Sequence, residues 1–168
     1  MWRADGRAVR AGSRVVCVTA TRGEQGSADE QRWPPGPSLA AVRTREMEQA
    51  LAALGVTEHH WLDYADGHCA EVPGAEAAPQ ALLAYATNTP QWLERFRPGL
   101  DSAGVFMGAE PPSTPVDELV IHGTFDGELL AAKLAAIRSQ VSQVEPLIAA
   151  LGEDFLRDGM TEESFRRP

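Results

Sequence analysis

Residues Ser13–Ala20 have the sequence SRVVCVTA, a short valine-rich run that opens directly after Gly12. A β-branched run of this length, bounded by a turn residue, predicts a strand that is buried on both faces. Such burial is typical of a parallel sheet that is covered by helices. The strand is followed by Thr21–Pro37, a long loop rich in glycine and proline. Loops of this length in compact domains are usually functional or disordered.

The segment after this loop predicts a helix and a second strand. Ser38–Leu54 carries apolar residues at mixed three- and four-residue spacing, which is the pattern of an amphipathic helix. Gly55 occupies the position of a left-handed C-terminal cap, and Glu58–Leu62 predicts a short strand. A strand, a helix and a strand in this order predict a β-α-β unit with a right-handed crossover.

The middle of the chain is less regular. His68–Pro79 predicts a loop, and Gln80–Phe96 predicts helix at both ends with an interruption before Pro90, because the residue before proline disfavours the helical conformation. Gly104–Gly108 and Glu118–His122 predict strands on either side of a proline-rich loop.

The clearest periodicity follows Asp126, a candidate N-cap. Apolar residues recur at alternating steps of four and three, which predicts one helix that packs on the sheet and is kinked by Pro146. The same spacing is compatible with a coiled coil, which the short run and the missing flanking charges disfavour. The apolar stripe consists of Leu130, Leu134, Ile137, Val141, Val144, Ile148 and Leu151.

The composition predicts one soluble domain that spans residues 1–168. A chain of 168 residues is long enough for a single core and short for two. Its 43% hydrophobic and 23% charged residues are typical of soluble globular proteins. The 24 acidic residues outnumber the 15 basic ones and give a net charge of −9, which disfavours nucleic acid and anionic membranes as partners.

The sequence also predicts a cytoplasmic location. No apolar run approaches the ~18–20 residues that are needed to span a bilayer, and the N-terminus has no apolar signal core. Cys17 and Cys69 form no disulfide framework, which fits a reducing compartment.

The histidines do not by themselves predict a metal centre. His59 and His60 are adjacent, so on a strand they face opposite sides and cannot both bind one ion. His68 forms a local cluster with Cys69, Asp63 and Asp66, but a structural zinc site needs a spaced pair of ligands from each of two segments. The second pair is absent from the sequence, which favours an ordinary surface role for His68.

Motifs for other chemistries are also absent from the sequence. There is no Gly-x-Ser-x-Gly nucleophile elbow and no glycine-rich phosphate-binding motif. The residues alone therefore predict a soluble α/β domain with a long loop after its first strand. Such loops lie at the carboxyl ends of strands, where open α/β sheets bind ligands.

Four segments resemble the PIG-L/LmbE-like zinc-dependent N-deacetylases, and they occur in the order of that family. These are Val15–Gly26 (VVCVTATRGEQG), Arg43–Val56 (R-x-x-E-x-x-x-A-x-x-x-L-G-V), Leu62–Gly67 (L-D-Y-x-D-G) and Lys133–Gln143 (K-x-x-A-x-x-x-Q-x-S-Q). In the last segment the family often carries histidine at the position of Gln140. From the first segment to the last, the resemblance extends over most of the chain, from Val15 to Gln143.

The resemblance implies a Rossmann-like three-layer α/β domain with a mostly parallel sheet. It also implies zinc-dependent removal of an N-acetyl group from an N-acetylglucosamine-type conjugate. In the family, an Ala-His-Pro-Asp-Asp-Glu motif and a later His-Pro-Asp-His motif supply three zinc ligands and a general base. Three protein ligands leave zinc an open position for a water, which a carboxylate can deprotonate.

Neither of these motifs is present in the sequence. The first is expected before Met1 and the second between Glu76 and Leu82. We therefore expect an incomplete Rossmann-like domain, truncated at its N-terminus and internally. Such a chain has no catalytic residue and no metal ligand of its own, does not bind the zinc that the family implies, and is inactive by itself.

The family's substrate contacts can be transferred to two residues. The resemblance implies that Arg43 contacts the substrate and that Glu24 lies on the active-site loop. Two alternatives to an inactive chain follow from the same residues. One is a non-catalytic pseudoenzyme that binds a small-molecule N-acetyl sugar conjugate, and the other is an active enzyme whose zinc ligands are rebuilt from Asp66, His68 and His122.

Overall fold

The computed structural model describes residues 7–27, 29–69 and 84–167. The chain divides into two compact units. The first comprises Met1–Pro79 and Ala131–Pro146, and the second comprises Gln80–Leu130 and Leu147–Pro168. The single domain expected over residues 1–168 stays a prediction.

The first unit is built on a β-α-β motif. Strand β1 (Val16–Thr19) is followed by helix α1 (Pro37–Leu54) and strand β2 (Glu58–Trp61). The two strands pair in parallel, with Val16 opposite Glu58 and Thr19 opposite Trp61. The structure thus confirms the predicted order of elements and the long irregular loop between β1 and α1.

Helix α1 begins and ends where its sequence predicts. Pro37 lies in the first turn, where its fixed φ suits a helix and its missing N–H is not needed. Gly55 adopts the predicted left-handed conformation with φ 76°. Its N–H donates to the Ala52 carbonyl (3.1 Å), and the Val56 N–H donates to the Leu51 carbonyl (3.0 Å). This pattern is a Schellman cap, which satisfies the last carbonyls of the helix.

The prediction that β1 is buried on both faces is wrong. Cys17 is 6% exposed, whereas Val16 and Val18 are 41% and 45% exposed. Side chains alternate between the faces of a strand, so one face of β1 packs on the core and the valine face remains accessible. A run of β-branched residues predicts a strand but does not show which of its faces is covered. The core cluster on the buried side consists of Cys17, Ala50, Leu51, Leu54, Val56 and Ala136.

The second unit contains an antiparallel sheet. Its strands are β3 (Tyr85–Thr87), β4 (Leu119–Thr124) and β5 (Glu162–Arg166), and β5 lies between the other two. The unit also contains helices α2 (Pro90–Ser102) and α5 (Glu153–Gly159). Strand β4 confirms the strand predicted at Glu118–His122.

Two predictions for this unit are wrong. Tyr85–Thr87 lies in a segment predicted to be helical and forms a strand, whereas the predicted interruption before Pro90 and the helix after it are confirmed. The Thr89 hydroxyl accepts a hydrogen bond from the Trp92 N–H (3.1 Å), which is a regular N-cap followed by proline. Gly104–Gly108, predicted as a strand, forms turns because its glycines adopt positive φ.

The predicted C-terminal helix is two helices, α3 (Gly127–Arg138) and α4 (Val141–Leu151). The break falls at Ser139 and Gln140 and not at Pro146, which lies inside α4. The Ser139 hydroxyl donates to the Ala136 carbonyl (2.7 Å), and the Gln140 carbonyl already accepts the first hydrogen bonds of α4. Serine side chains compete in this way with the regular helical bonds.

The described residues form a mixed α/β fold, which confirms the predicted class. Its sheets are a two-stranded parallel sheet and a three-stranded antiparallel sheet. No helix among the described residues is long and apolar enough to cross a membrane. Three predictions concern positions 70–83, which lie outside the described residues. They are most of the loop at His68–Pro79, the first residues of the helix from Gln80, and the internal truncation between Glu76 and Leu82.

Candidate functional site

The loop after β1 is tied to the segment after β2 by one carboxylate. Asp66 accepts hydrogen bonds from the Thr21 hydroxyl (3.1 Å) and the Gln25 backbone N–H (3.0 Å). Its own backbone N–H donates to Glu24 Oε1 at 3.3 Å. The carboxyl ends of parallel strands lie at the same edge of a sheet, so these two segments meet where ligands commonly bind.

Arg22 fixes the same loop from its other side. Its guanidinium donates to Asp63 Oδ1 (2.7 Å from Nη2 and 3.1 Å from Nε) and to the Thr44 hydroxyl on α1 (2.8 Å). It also lies over the Trp61 ring, with the guanidinium carbon 4.3 Å from the ring centroid. One side chain thereby joins the loop, the helix and the second strand, which holds the loop in a defined position.

Arg43 lies on α1 and reaches the loop. Its Nη1 donates to the Gly23 carbonyl. Burial lowers the pKa of Arg43 from the usual arginine value, and the nearby carboxylates of Glu46, Asp66 and Glu24 partly offset this effect. The guanidinium remains a cation, since the ordinary arginine pKa is far above neutrality. Its Nε is buried and has no hydrogen-bond partner among the described residues.

Glu24 lies on the loop near Arg43. Its Oε1 accepts from the Asp66 N–H, and its backbone carbonyl accepts from the Gly36 N–H at 2.8 Å. Its Oε2 is buried without a hydrogen-bond partner in the part of the chain that the structure describes. The structure therefore brings together the two residues that the sequence predicts as substrate contacts. Each of them has a buried polar atom that forms no hydrogen bond with any described residue, which is uncommon in folded proteins.

A buried carboxylate organises the helix next to this loop. Glu46, on α1, is 6% exposed and accepts from the Ser142 backbone N–H (2.6 Å) and hydroxyl (2.7 Å). Ser142 is in the first turn of α4, where backbone N–H groups lack partners within the helix. Glu46 therefore acts as the N-terminal cap of α4. The sequence pattern did not predict this role for Glu46. Arg43 and Glu46 are three residues apart and so lie on neighbouring positions of one helix face.

A cavity of about 360 Å³ lies beside β1. It is lined by Cys17, Val18, Thr19, Ala20, Met47, Gln140 and Gln143. The resemblance singled out the Gln140 position, but Gln143 and Met47 were not predicted as lining residues. No spacing rule in the sequence could have found them, because they come from segments almost a hundred positions apart in the chain.

His59 belongs to the edge of this unit's sheet. Its Nε2 lies 2.9 Å from the Thr19 hydroxyl, and its ring meets the Trp61 ring edge-on at 4.6 Å. Burial lowers the pKa of His59, and the neighbouring charge of His60 lowers it further. Folding therefore disfavours the protonated ring of His59 relative to the unfolded chain.

This shift predicts a pH dependence of stability. Because the folded-state pKa of His59 lies below the ordinary value of about 6.5, the unfolded chain binds more protons between the two values. The free energy of unfolding should fall as the pH is lowered from about 6.5 through the folded-state pKa. Urea unfolding at a series of pH values in this range should give a free energy of unfolding that rises with pH, and His59→Gln should reduce the slope of that rise. A histidine titration measured by NMR in which His59 has a raised pKa would contradict the prediction.

The described residues do not fit the zinc centre that the resemblance implies. Among residues 7–27, 29–69 and 84–167, no three histidine, cysteine, aspartate or glutamate side chains are grouped so that they could hold a metal ion. Asp66, His68 and His122 all lie in these ranges. Both carboxylate oxygens of Asp66 already accept hydrogen bonds from the loop. No catalytic step through zinc is therefore assigned to these residues.

His122 lies on β4 in the second unit, opposite Ser164 of β5. Its Nε2 is 4.0 Å from Glu162 Oε2. The Thr89 hydroxyl donates to the other oxygen of that carboxylate at 3.1 Å. Glu162 thus joins β4, β5 and the start of α2, which gives this pair a role in holding the sheet to the helix.

A match to a known family defines the class of protein. The family model "PIG-L: GlcNAc-PI de-N-acetylase" matches residues 6–102, which is more than half of the chain. The chain therefore belongs to the PIG-L family of N-deacetylases. This confirms the family predicted from the four sequence segments.

A curated relative gives a more specific likeness. The chain is 43% identical over 149 residues to the 1D-myo-inositol 2-acetamido-2-deoxy-alpha-D-glucopyranoside deacetylase of Kineococcus radiotolerans. The match covers 88% of this chain and 33% of the relative, so the chain spans about a third of the length of that protein. No solved structure matches the chain.

Proposed function

We propose that this chain binds an N-acetylated sugar conjugate beside the loop that follows β1, and that it does not hydrolyse the amide by itself. The observation that supports binding is the pair of buried polar atoms, Arg43 Nε and Glu24 Oε2, that have no hydrogen-bond partner among the described residues. A buried polar atom without a partner costs about 1–3 kcal/mol. A ligand that satisfies both atoms recovers this cost.

Sugar hydroxyls suit these two atoms. A hydroxyl can donate to a carboxylate oxygen and accept from a guanidinium N–H, so a polyhydroxylated ligand carries the partners that Glu24 and Arg43 each lack. The loop is already fixed by Arg22 and Asp66. Fixing the loop before binding reduces the entropy that the ligand must overcome. The name of the curated relative describes a glucosaminide of inositol, which is consistent with a polyhydroxylated ligand.

The proposal that the chain does not hydrolyse its ligand rests on its residues. The sequence contains neither the Ala-His-Pro-Asp-Asp-Glu nor the His-Pro-Asp-His motif. The described residues do not group three potential metal ligands. The chain then acts as a pseudoenzyme that keeps a sugar site. We also propose that its fold is a Rossmann-like three-layer domain over residues 1–168 and that it is located in the cytoplasm.

Arg43→Lys tests the binding site. Lysine keeps the positive charge but lacks the Nε–H and the planar fork of the guanidinium. We expect it to weaken binding of the acetylated glucosaminyl-inositol conjugate by about tenfold or more, measured by isothermal titration calorimetry. Arg45→Lys is the matched control, because Arg45 is exposed on the same helix and should bind as the unaltered chain does.

Two results would contradict the proposal in different ways. Unchanged affinity in Arg43→Lys would remove Arg43 from the site. Stoichiometric zinc together with release of acetate would show that the chain hydrolyses its ligand. In that case His68→Ala would identify the centre, since loss of zinc in this variant would support ligands rebuilt around His68.

A further inference from the structure

Another cavity, of about 430 Å³, lies in the second unit. This volume is within the range of roughly 300–1,000 Å³ that is usual for small-molecule sites. All of the lining residues belong to the second unit, so the cavity shares no residue with the proposed sugar site. We call it the charged cavity, and its lining residues are Pro112, Ser113, Thr114, Glu118, Arg166 and Arg167.

One wall of the charged cavity is fixed by backbone pairing. The Asn88 N–H donates to the Pro112 carbonyl (3.2 Å), and the Thr114 N–H donates to the Asn88 carbonyl (2.9 Å). The buried hydroxyls of Thr87 and Thr114 share a hydrogen bond of 2.8 Å. Ser113 is exposed, and its hydroxyl forms no hydrogen bond with any described residue. The wall therefore offers a hydroxyl group on a fixed stretch of backbone.

The arginines of the charged cavity come from the end of the central strand. Arg166 is the last residue of β5 and lies opposite Tyr85 of β3 and Leu119 of β4. Its Nη1 donates to the Arg167 carbonyl at 3.1 Å. Its guanidinium carbon is 5.7 Å from the centroid of the Tyr85 ring, within the range of a cation–π contact. These contacts hold the Arg166 guanidinium at the end of the sheet.

The charged side chains of the cavity do not neutralise one another. Glu118 lines the same cavity as Arg166 and Arg167, yet it forms no ion pair with either of them. Neither arginine forms an ion pair with a carboxylate of any other described residue. Elsewhere in the unit, by contrast, Arg97 pairs with Glu110 at 2.6 Å. The charged cavity thus holds opposite charges apart.

From this separation we propose that the charged cavity binds a small zwitterion, a molecule that carries a carboxylate and an ammonium group as a free amino acid does. The carboxylate would accept from the guanidinium groups of Arg166 and Arg167, whose planar forks match its geometry. The Ser113 hydroxyl can donate to the same carboxylate, and the ammonium group would donate to Glu118. This inference goes beyond the proposed function and does not depend on it.

A ligand with one charge satisfies only half of the lining. A simple carboxylate leaves Glu118 without a partner and meets its negative charge, and inorganic phosphate meets the same repulsion. An alkylamine pairs with Glu118 but is repelled by the two guanidinium groups. Ion pairs at exposed sites change affinity by up to about fivefold each. We therefore expect a zwitterion to bind about fivefold more tightly than the carboxylate of the same chain length.

Titration of the full chain followed by NMR tests this preference. The probes are glycine, β-alanine and 4-aminobutyrate, which differ in the separation of their charges. Acetate, propionate and butyrate are the matched ligands without an ammonium group, and inorganic phosphate is the comparison anion. The backbone amide signals of Ser113 and Arg167 should shift in a saturable way with at least one zwitterion. The matched carboxylate and phosphate should each bind about fivefold more weakly than that zwitterion.

Glu118→Gln tests the role of the carboxylate. The substitution should weaken binding of the zwitterion by about fivefold. It should leave the affinity for the matched carboxylate unchanged or raise it, because the repulsion is removed. Asp117→Asn is the matched control, since Asp117 is exposed, lies next in the chain and does not line the cavity. It changes the net charge by the same amount and should bind the zwitterion as the unaltered chain does.

Arg167→Gln tests the other half of the site. Arg167 is exposed after the end of β5, so its replacement should leave thermal unfolding unchanged. It should weaken binding of the zwitterion and of the matched carboxylate alike, because both use the guanidinium group. A change in the affinity for one of them alone would contradict the assignment.

Three results would overturn the inference. In the first, neither Ser113 nor Arg167 shows a saturable shift with any zwitterion. In the second, the matched carboxylate or phosphate binds as tightly as the zwitterion, which would make the cavity a site for simple anions. In the third, Glu118→Gln and Asp117→Asn bind the zwitterion equally well. Loss of the preference in Glu118→Gln alone supports the inference.

Discussion

Replacing Glu46 with alanine is expected to lower the free energy of unfolding by about 2–4 kcal/mol. The carboxylate is 6% exposed and accepts two hydrogen bonds from Ser142, at 2.6 and 2.7 Å. Alanine leaves the Ser142 N–H and hydroxyl without an acceptor in a buried place, and it also removes a negative charge from the N-terminus of α4. Both effects destabilise the folded state.

Urea unfolding measures this loss, and Glu48→Ala is its matched control. Glu48 is exposed on the same helix, so its replacement should change the free energy of unfolding by less than about 0.5 kcal/mol. Glu46→Gln should fall between the two, because an amide keeps one acceptor oxygen but loses the charge. A double-mutant cycle with Ser142→Ala isolates the hydrogen bond of the Ser142 hydroxyl, because the backbone N–H remains in that variant. Equal stability of the Glu46→Ala and Glu48→Ala variants would show that the buried cap contributes nothing.

The sequence predicts the first unit well because its signals are local. Ser38–Leu54 has a helical period, a proline at its start and a glycine at its end, and the structure places α1 at Pro37–Leu54. The flanking valine-rich and Glu58–Leu62 runs predict strands, which pair in parallel as β1 and β2. Period, caps and turn residues all act over a few positions, so they can be read from one sequence.

The second unit is predicted poorly because its signals are not local. Glu162–Arg166 has the sequence EESFR, which lacks the alternation of a half-buried strand, yet it is the central strand of the antiparallel sheet. Its conformation is decided by two neighbouring strands and by the packing that they provide. Tyr85–Thr87 is a strand for the same reason, because it pairs with β5 although its surroundings favour a helix. Tertiary context outweighs strand propensity in such cases.

The resemblance proposes two residues of the candidate site but does not predict the contacts that position them. Arg43 and Glu24 follow from the resemblance, and the structure places both at the loop after β1. The resemblance gives no account of what holds them there. That role falls to Asp66, which accepts from two points of the loop, and to Arg22, which joins the loop to α1. Contacts of this kind depend on side-chain positions in three dimensions.

Replacing Gly23 with alanine is expected to weaken ligand binding by about tenfold or more and to lower the free energy of unfolding by about 1–2 kcal/mol. Gly23 has φ +67°, which strains a residue with a side chain. An added Cβ would stand 2.6 Å from Arg43 Nη1, the atom that donates to the Gly23 carbonyl. The guanidinium must therefore move away from the loop, and its Nε moves with it.

Gly26→Ala is the matched control for this prediction. Gly26 lies on the same loop, its φ is not positive, and an added Cβ would meet no atom within 4 Å. The two variants therefore differ in whether they displace Arg43 and in the backbone strain at position 23. Calorimetry with the acetylated glucosaminyl-inositol conjugate should show weakened binding for Gly23→Ala alone, with a changed NMR signal of the Arg43 side chain. If Gly23→Ala binds as tightly as Gly26→Ala while the Arg43 signal has moved, the position of the guanidinium does not determine affinity, and the proposed contact is wrong.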